Sequence, residues 1–265
     1  MNKKKIFVFL VIILSLFLII GYFYKDQKIA VLGYHSFYKD KSELKEENPE
    51  FINDIASFEK QMKYLHDHNY KTLTLDEFYK WKKGELKVPR KSVLITIDDG
   101  NLSNYMYAFD ILKKYDLNAV VFYVGAYAKE YGVEEGTIYD VMSLDLINKS
   151  KEEYPNIEFQ SHSYDLHASG VTNKSKEELD KDTKEMNKQG NFEYFAYPFG
   201  VYSEDMKEVL INNNYKLAFG FGYDKEGKNS YKKATKKDDD YLISRLNISN
   251  NVSFSKFLLR LYLPY

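Results

Sequence analysis

Two histidines and two aspartates carry most of the chemistry that can be read from this chain. Only five histidines occur (His35, His66, His68, His162 and His167), and two of them fall within Ser161-His162-Ser163-Tyr164-Asp165-Leu166-His167. An acidic pair closes an apolar run, Val93-Leu94-Ile95-Thr96-Ile97-Asp98-Asp99-Gly100. Two imidazoles and one carboxylate form a ligand set for a divalent ion of the zinc type, with three protein donors and one position left for water. A second carboxylate beside that set is placed to take a proton from the water. The residue types therefore point to metal-dependent hydrolysis.

The spacing sets conditions on that reading. On a helix, residues four apart share a face, whereas His162 and His167 are five apart and would diverge. Both reach one ion only if the segment leaves a strand and curls through a loop, which Ser169-Gly170 favours. The plainer alternative is a pair of polar loop residues satisfied by nearby backbone. Adjacent side chains on an extended segment point oppositely, so Asp98 and Asp99 reach one site only if the backbone turns there. Gly100 permits such a turn. The alternative for Asp99 or Asn101 is a helix N-cap before Ser103. His35, in Gly33-Tyr34-His35-Ser36, titrates near neutrality and is a candidate general acid. His66 and His68 sit where a helix ends, which is sufficient reason for them.

The elements that must position these residues alternate along the chain. Strand-like runs are 28–34, 71–75, 92–97, 119–125, 158–161, 194–197, 217–222 and 241–248. Helical spacing covers 54–68, 75–83, 103–115, 143–149, 175–189, 203–213 and 253–261. Phe58, Met62 and Leu65 recur at three to four residues, as a half-buried helix requires. Such alternation predicts parallel strands with crossover helices, here a closed or nearly closed (β/α) barrel of seven or eight strands. In such barrels the chemistry sits at the C-terminal ends of the strands. His35, Asp98-Asp99, His162 and Pro198-Phe199-Gly200 all fall at strand ends in this scheme. The Lys- and Glu-rich stretch 37–51 and the charged stretch 224–240 read as solvated loops.

Bulk composition narrows the classes. A net charge of -1 and only three arginines give no electrostatic case for nucleic acid. With no cysteine, disulfides, thiolate ligands and a thiol nucleophile are excluded. The 25 tyrosines and 18 phenylalanines offer rings that can stack on sugars, although most fill core and surface. Lysines at positions 3–5 precede an uncharged run from Ile6 to Tyr24, 19 residues long. That is the length of a helix crossing a ~30 Å hydrocarbon core. No small-x-small cleavage site follows. Residues 1–24 are therefore expected to be a cytoplasmic start and single-pass membrane anchor, with 25–265 as one domain on the extracellular face. The competing expectation is secretion after signal cleavage.

Taken in order, Thr96-Ile97-Asp98-Asp99-Gly100, Ser161 to His167 and Ala196-Tyr197-Pro198-Phe199-Gly200 resemble the first three motifs of the polysaccharide deacetylases, the NodB-homology or carbohydrate esterase family 4 group. The resemblance covers roughly residues 28–250, and the three motifs together are specific where one alone would be weak. The longer His-to-His spacing and the early Tyr34-His35 look most like the branch containing biofilm poly-β-1,6-N-acetylglucosamine deacetylases. That resemblance implies Asp98 as general base, Asp99, His162 and His167 as ligands of a divalent metal (Zn2+, with Ni2+ or Co2+ as alternatives) and His35 as general acid. It also implies the Phe199 backbone N–H in the oxyanion hole, an acetylated amino-sugar polysaccharide as substrate, and a polysaccharide synthase complex as membrane partner.

Two departures stand out. Most of the family begins the third motif with an arginine that orients the base, and Ala196 occupies that place. Arg245 has two readings, a substitute for that arginine or a rim charge. No histidine follows His167, so the general-acid role rests on His35. Peptidoglycan or chitin-like oligomers are alternative substrates, and a surface carbohydrate-binding protein that has lost catalysis is the alternative from another class.

Overall fold

The computed structural model describes residues 27–46, 49–222 and 232–263. In chain order these form β1 (Ala30–Tyr34), β2 (Ser36–Tyr38), β3 (Ile52–Asp54), α1 (Ile55–Asp67), β4 (Lys71–Thr72), α2 (Leu75–Lys83) and the long β5 (Ser92–Asp99). A π-helical turn, Asn104–Ala108, runs into α3 (Phe109–Lys114), followed by β6 (Ala119–Tyr123), α4 (Gly125–Glu130), α5 (Leu144–Glu153) and β7 (Ile157–Ser161). Then come α6 (Leu166–Ser169), α7 (Lys176–Met186), β8 (Tyr194–Ala196), α8 (Glu204–Asn212), β9 (Leu217–Phe219), β10 (Leu246–Asn247) and α9 (Phe254–Tyr262).

Every pairing between these strands is parallel, in the order β10-β1-β5-β6-β7-β8-β9, with β4 beside the first half of β5. The two edges of this curled sheet are joined by one irregular segment. Ile243 bridges Phe219 at β9, and three residues later Leu246 and Asn247 pair with β1. The result is a distorted (β/α) barrel whose seam is residues 243–247, in agreement with the expected strand number and direction.

Period-two alternation divides the apolar residues into two cores. On β5, Val93, Ile95 and Ile97 pack outward under the helices, while Leu94 faces the interior with Val31, Val120, Phe122 and Phe219. Thr96 and Asp98 continue the interior register toward the C-terminal rim. Helix α2 belongs to the interior cluster through Phe78 and Trp81. It plugs the barrel instead of lying outside it, and the Glu158 side chain on β7 accepts the N–H of Leu75 at its start. Ser175 and Glu178 form the capping box expected for α7.

Several expectations need correction. The stretch 37–51 is not simply a solvated loop: Phe37 and Tyr38 are buried, and β2 pairs with β3. Its Lys and Glu content masked an apolar start. In the charged stretch, residues 232–240 are docked. Lys233 is buried and donates to Leu261 O at 2.6 Å, and Asp240 pairs with Lys82 at 3.0 Å. The strand predicted over 71–75 shrinks to two residues, and so does the last one, because the chain there crosses between two strands instead of lining one. The proposed anchor, residues 1–24, lies outside the described residues. Among the described residues, no helix is long and apolar enough to cross a membrane.

Candidate metal centre and active site

Parallel strands deliver the chemistry to one rim. The turn that lets both aspartates face the same cleft begins at Asp99 itself, with φ +71°, and continues through Gly100 at φ +73°. Aspartate tolerates this left-handed region better than most residues. A Cβ on Gly100 would meet Tyr123 Cβ at 2.7 Å, so glycine is required there. The carboxylate of Asp99 faces the two histidines, which removes the helix N-cap reading for it. Of the six non-glycine residues with positive φ among the described residues, three (Asp99, Ser163 and Phe199) belong to this rim. Backbone strain of this kind persists where surrounding structure enforces it, typically at functional sites.

His162 follows β7 directly, and its N–H still bonds Tyr123 O at 3.0 Å. Its Nδ1 lies 2.8 Å from Ala196 O. A carbonyl only accepts, so Nδ1 carries the proton and the Nε2 lone pair of the neutral ring points at Asp99. His167 stands on the one-turn helix α6, where a loop was expected. Its Nε2 is 3.1 Å from Asp99 Oδ1, and His162 Nε2 is 3.5 Å from the same oxygen. The candidate ligand atoms of Asp99, His162 and His167 all lie within 4.8 Å of one another. Asp99 Oδ1 is buried and meets no hydrogen-bond donor in good geometry despite these approaches, which leaves it open to a ligand. Three lone-pair donors converging on one point fit a divalent ion.

Asp98 is held differently. Arg245 is completely buried and grips it at both oxygens, Nη1 to Oδ1 at 2.6 Å and Nη2 to Oδ2 at 2.8 Å. Its Nε bonds Gly220 O at 2.8 Å, and its guanidinium lies 4.8 Å from the Phe221 ring centre. The rim-charge reading of Arg245 is thereby excluded: from the barrel seam it reaches inward to Asp98. Burial alone would raise Asp98's pKa, but Arg245, His162 and His35 outweigh it and hold the carboxyl below its ordinary value. Burial lowers the pKa of His162 and favours its neutral form. Burial would lower that of His167 too, but Asp99 reverses the direction.

His35 stands on the far side of Asp98, with Nε2 at 3.9 Å from Oδ2. Its ring rests between Phe51 at 4.8 Å and Phe221 at 5.1 Å. Phe199, at φ +58°, projects its ring into the mouth of the cleft, 59% exposed and 4.6 Å from His167. All six expected residues thus line one cleft of about 390 Å³, together with Glu50, Phe51, Gly200, Phe221 and Asn247. Of those neighbours, sequence reasoning had placed only Gly200 on the rim. Phe51 ended a stretch taken for a solvated loop, and nothing local marks Glu50 or Asn247. His66 and His68 stay apart at the end of α1, as expected.

The polysaccharide deacetylase family model matches residues 85–218, half of the chain. The poly-β-1,6-N-acetyl-D-glucosamine N-deacetylase of Staphylococcus aureus strain NCTC 8325 is 31% identical over 258 residues, covering 86% of this chain and 81% of that protein. The chain belongs to the polysaccharide deacetylase family. A relative of the same description from Staphylococcus epidermidis is 31% identical over 207 residues, 73% of this chain and 67% of its own length. In fold, this deacetylase family member resembles the Streptococcus pyogenes deacetylase PplD, with TM-score 0.75, 22% identity and coverage of 90% and 100% of the two chains. It also resembles IcaB from Ammonifex degensii, with TM-score 0.71, 20% identity and coverage of 89% and 98%. Family membership makes the chain a hydrolase of the deacetylase type.

Proposed function

We propose that the chain removes N-acetyl groups from an extracellular N-acetylglucosamine polymer of the poly-β-1,6-linked kind, releasing acetate. The observation that carries this reading is the convergence of Asp99, His162 and His167 beside an Arg245-held Asp98 in one cleft. The similarity to N-deacetylases named for that polymer supports the substrate class.

Asp99, His162 and His167 would hold the divalent ion, of which Zn2+ suits the donor set best and Ni2+ or Co2+ are alternatives. When bound, such an ion polarises the amide carbonyl and lowers the pKa of a water. Asp98 takes the proton from the attacking water, and the Arg245 fork fixes which carboxylate edge faces the cleft. The Phe199 N–H donates to the oxygen that gains charge as the carbonyl becomes tetrahedral. His35, on the other flank of Asp98, delivers a proton to the sugar nitrogen as the C–N bond breaks. Water and amide are thereby converted to acetate and a free amine. Phe51 and Phe199 offer exposed ring faces on which neighbouring sugars can stack.

The Lys-rich start and apolar run of residues 1–24 support a membrane anchor that keeps the domain beside the polymer as it leaves a synthase. The test is acetate release from β-1,6-linked N-acetylglucosamine oligomers by the full chain, with added Zn2+, Ni2+ or Co2+ and with chelator. Release that chelator abolishes is expected. A folded protein inactive on these oligomers but active on peptidoglycan or chitin oligomers would overturn the substrate assignment, and one inactive on all of them would overturn the activity.

A further inference from the structure

The segment between the two histidine ligands is held from both sides, and one of its holders lies outside every motif. The carbonyls of Ser163 and Tyr164 accept the N–H groups of Gly125 (3.1 Å) and Ala126 (2.8 Å), where α4 begins. On the opposite side, the N–H groups of Tyr164 and Asp165 donate to the two oxygens of one carboxylate, Asp182, at 2.9 and 2.7 Å. Ser163, at φ +72°, reverses the chain, and its Oγ accepts the N–H of Leu166 at 3.1 Å, starting the turn that carries His167. Asp182 sits on α7, which is anchored in the core by Leu179 and Met186.

From this geometry we propose that Asp182 is a positioning residue for the metal centre. It shapes the loop from His162 to His167 so that two imidazoles five residues apart present Nε2 to Asp99 before any ion arrives. This rests on the reading of those three residues as ligands. Without Asp182, two adjacent N–H groups lose their acceptor, the loop is free to take other conformations, and His167 is the donor that moves. His162 is kept in place by Ala196 O and by the sheet. Outer groups that orient metal ligands typically change affinity by about 10–100-fold.

The experiment measures Zn2+ affinity of the full chain by competition with a chromophoric chelator, alongside unfolding in excess EDTA. Asp182→Asn keeps one acceptor oxygen and should weaken Zn2+ binding about tenfold; Asp182→Ala should weaken it about a hundredfold. Asp180→Asn, on the same helix and bonded to Asn213 instead, is the matched control and should leave affinity unchanged. A folded Asp182→Ala protein with wild-type Zn2+ affinity overturns the proposal. Wild-type protein that binds no Zn2+ overturns the ligand set itself, a separate failure. Should both Asp182 variants fail to fold, hydrogen exchange on the wild type in EDTA decides: the Tyr164 and Asp165 amides should be strongly protected, and exchange at unprotected rates overturns the proposal.

Discussion

Replacing Arg245 with Met probes how Asp98 is held, and the size of the effect can be worked out from the contacts. Arg245 is completely buried, Asp98 is 2% exposed, and two N–H···O bonds of 2.6 and 2.8 Å join them. Removing one member of such a pair leaves an uncompensated charge, at about 3–5 kcal/mol. Asp98 can relieve that only by taking up a proton. Arg245 helps hold that carboxyl below its ordinary value, so its loss raises the titration of Asp98. Two readouts follow. In denaturant unfolding of the metal-free chain, Arg245→Met should cost about 3–5 kcal/mol. Combining it with Asp98→Asn should recover most of that, since no charge is then buried alone. In kinetics, the acid limb of the pH profile of kcat/KM should move to higher pH for Arg245→Met. A cost below about 1 kcal/mol, or singles that simply add in the double variant, would refute the reasoning.

His35→Gln should lower acetate release from amide substrates by about 10²–10⁴-fold while leaving Zn2+ affinity intact. An activated aryl acetate, whose leaving group needs no proton, should be spared; equal losses on both substrates would count against His35 as the acid. Asp182 supplies a pH-dependent term in stability. Burial pushes its pKa up to about 6, against the pull of the Tyr164 and Asp165 amides. For an acid whose folded pKa is raised, stability is fully present below the unfolded value of 3.8 and is lost as pH climbs through 6. The displacement corresponds to about 3 kcal/mol at most. The wild-type unfolding free energy in EDTA should therefore fall between pH 4 and 7 relative to Asp182→Asn, and a difference constant with pH would contradict this.

Much of the site was legible because parallel strands end in their chemistry. The run Val93–Ile97 reads as a strand from its composition, and the polar residues that follow it must then lie on the rim. The role of Arg245 was half legible, since the sequence left it as either a substitute for the missing arginine or a rim charge. Its partner is 147 residues away across the barrel seam, and a single arginine carries no local mark of whether it points inward. The joint turn at Asp99 and Gly100 was half visible, since glycine announces a positive φ and aspartate does not. Helix α2 has ordinary amphipathic spacing, which fixes that it buries a face but not that the face fills the barrel interior. The pair β2–β3 hid beneath Lys and Glu, and short α4 merged with the strand before it.

The central claim is that Asp99, His162 and His167 hold one ion while Asp98, held by Arg245, stays outside the ligand set. The stoichiometry of Zn2+ bound to the purified full chain tests this most directly, compared across wild type, Asp98→Asn and His167→Ala. One ion per chain in wild type and Asp98→Asn, with a much weakened site in His167→Ala, is the predicted result. A wild-type chain that binds none, or an Asp98→Asn variant that loses the ion, would contradict it.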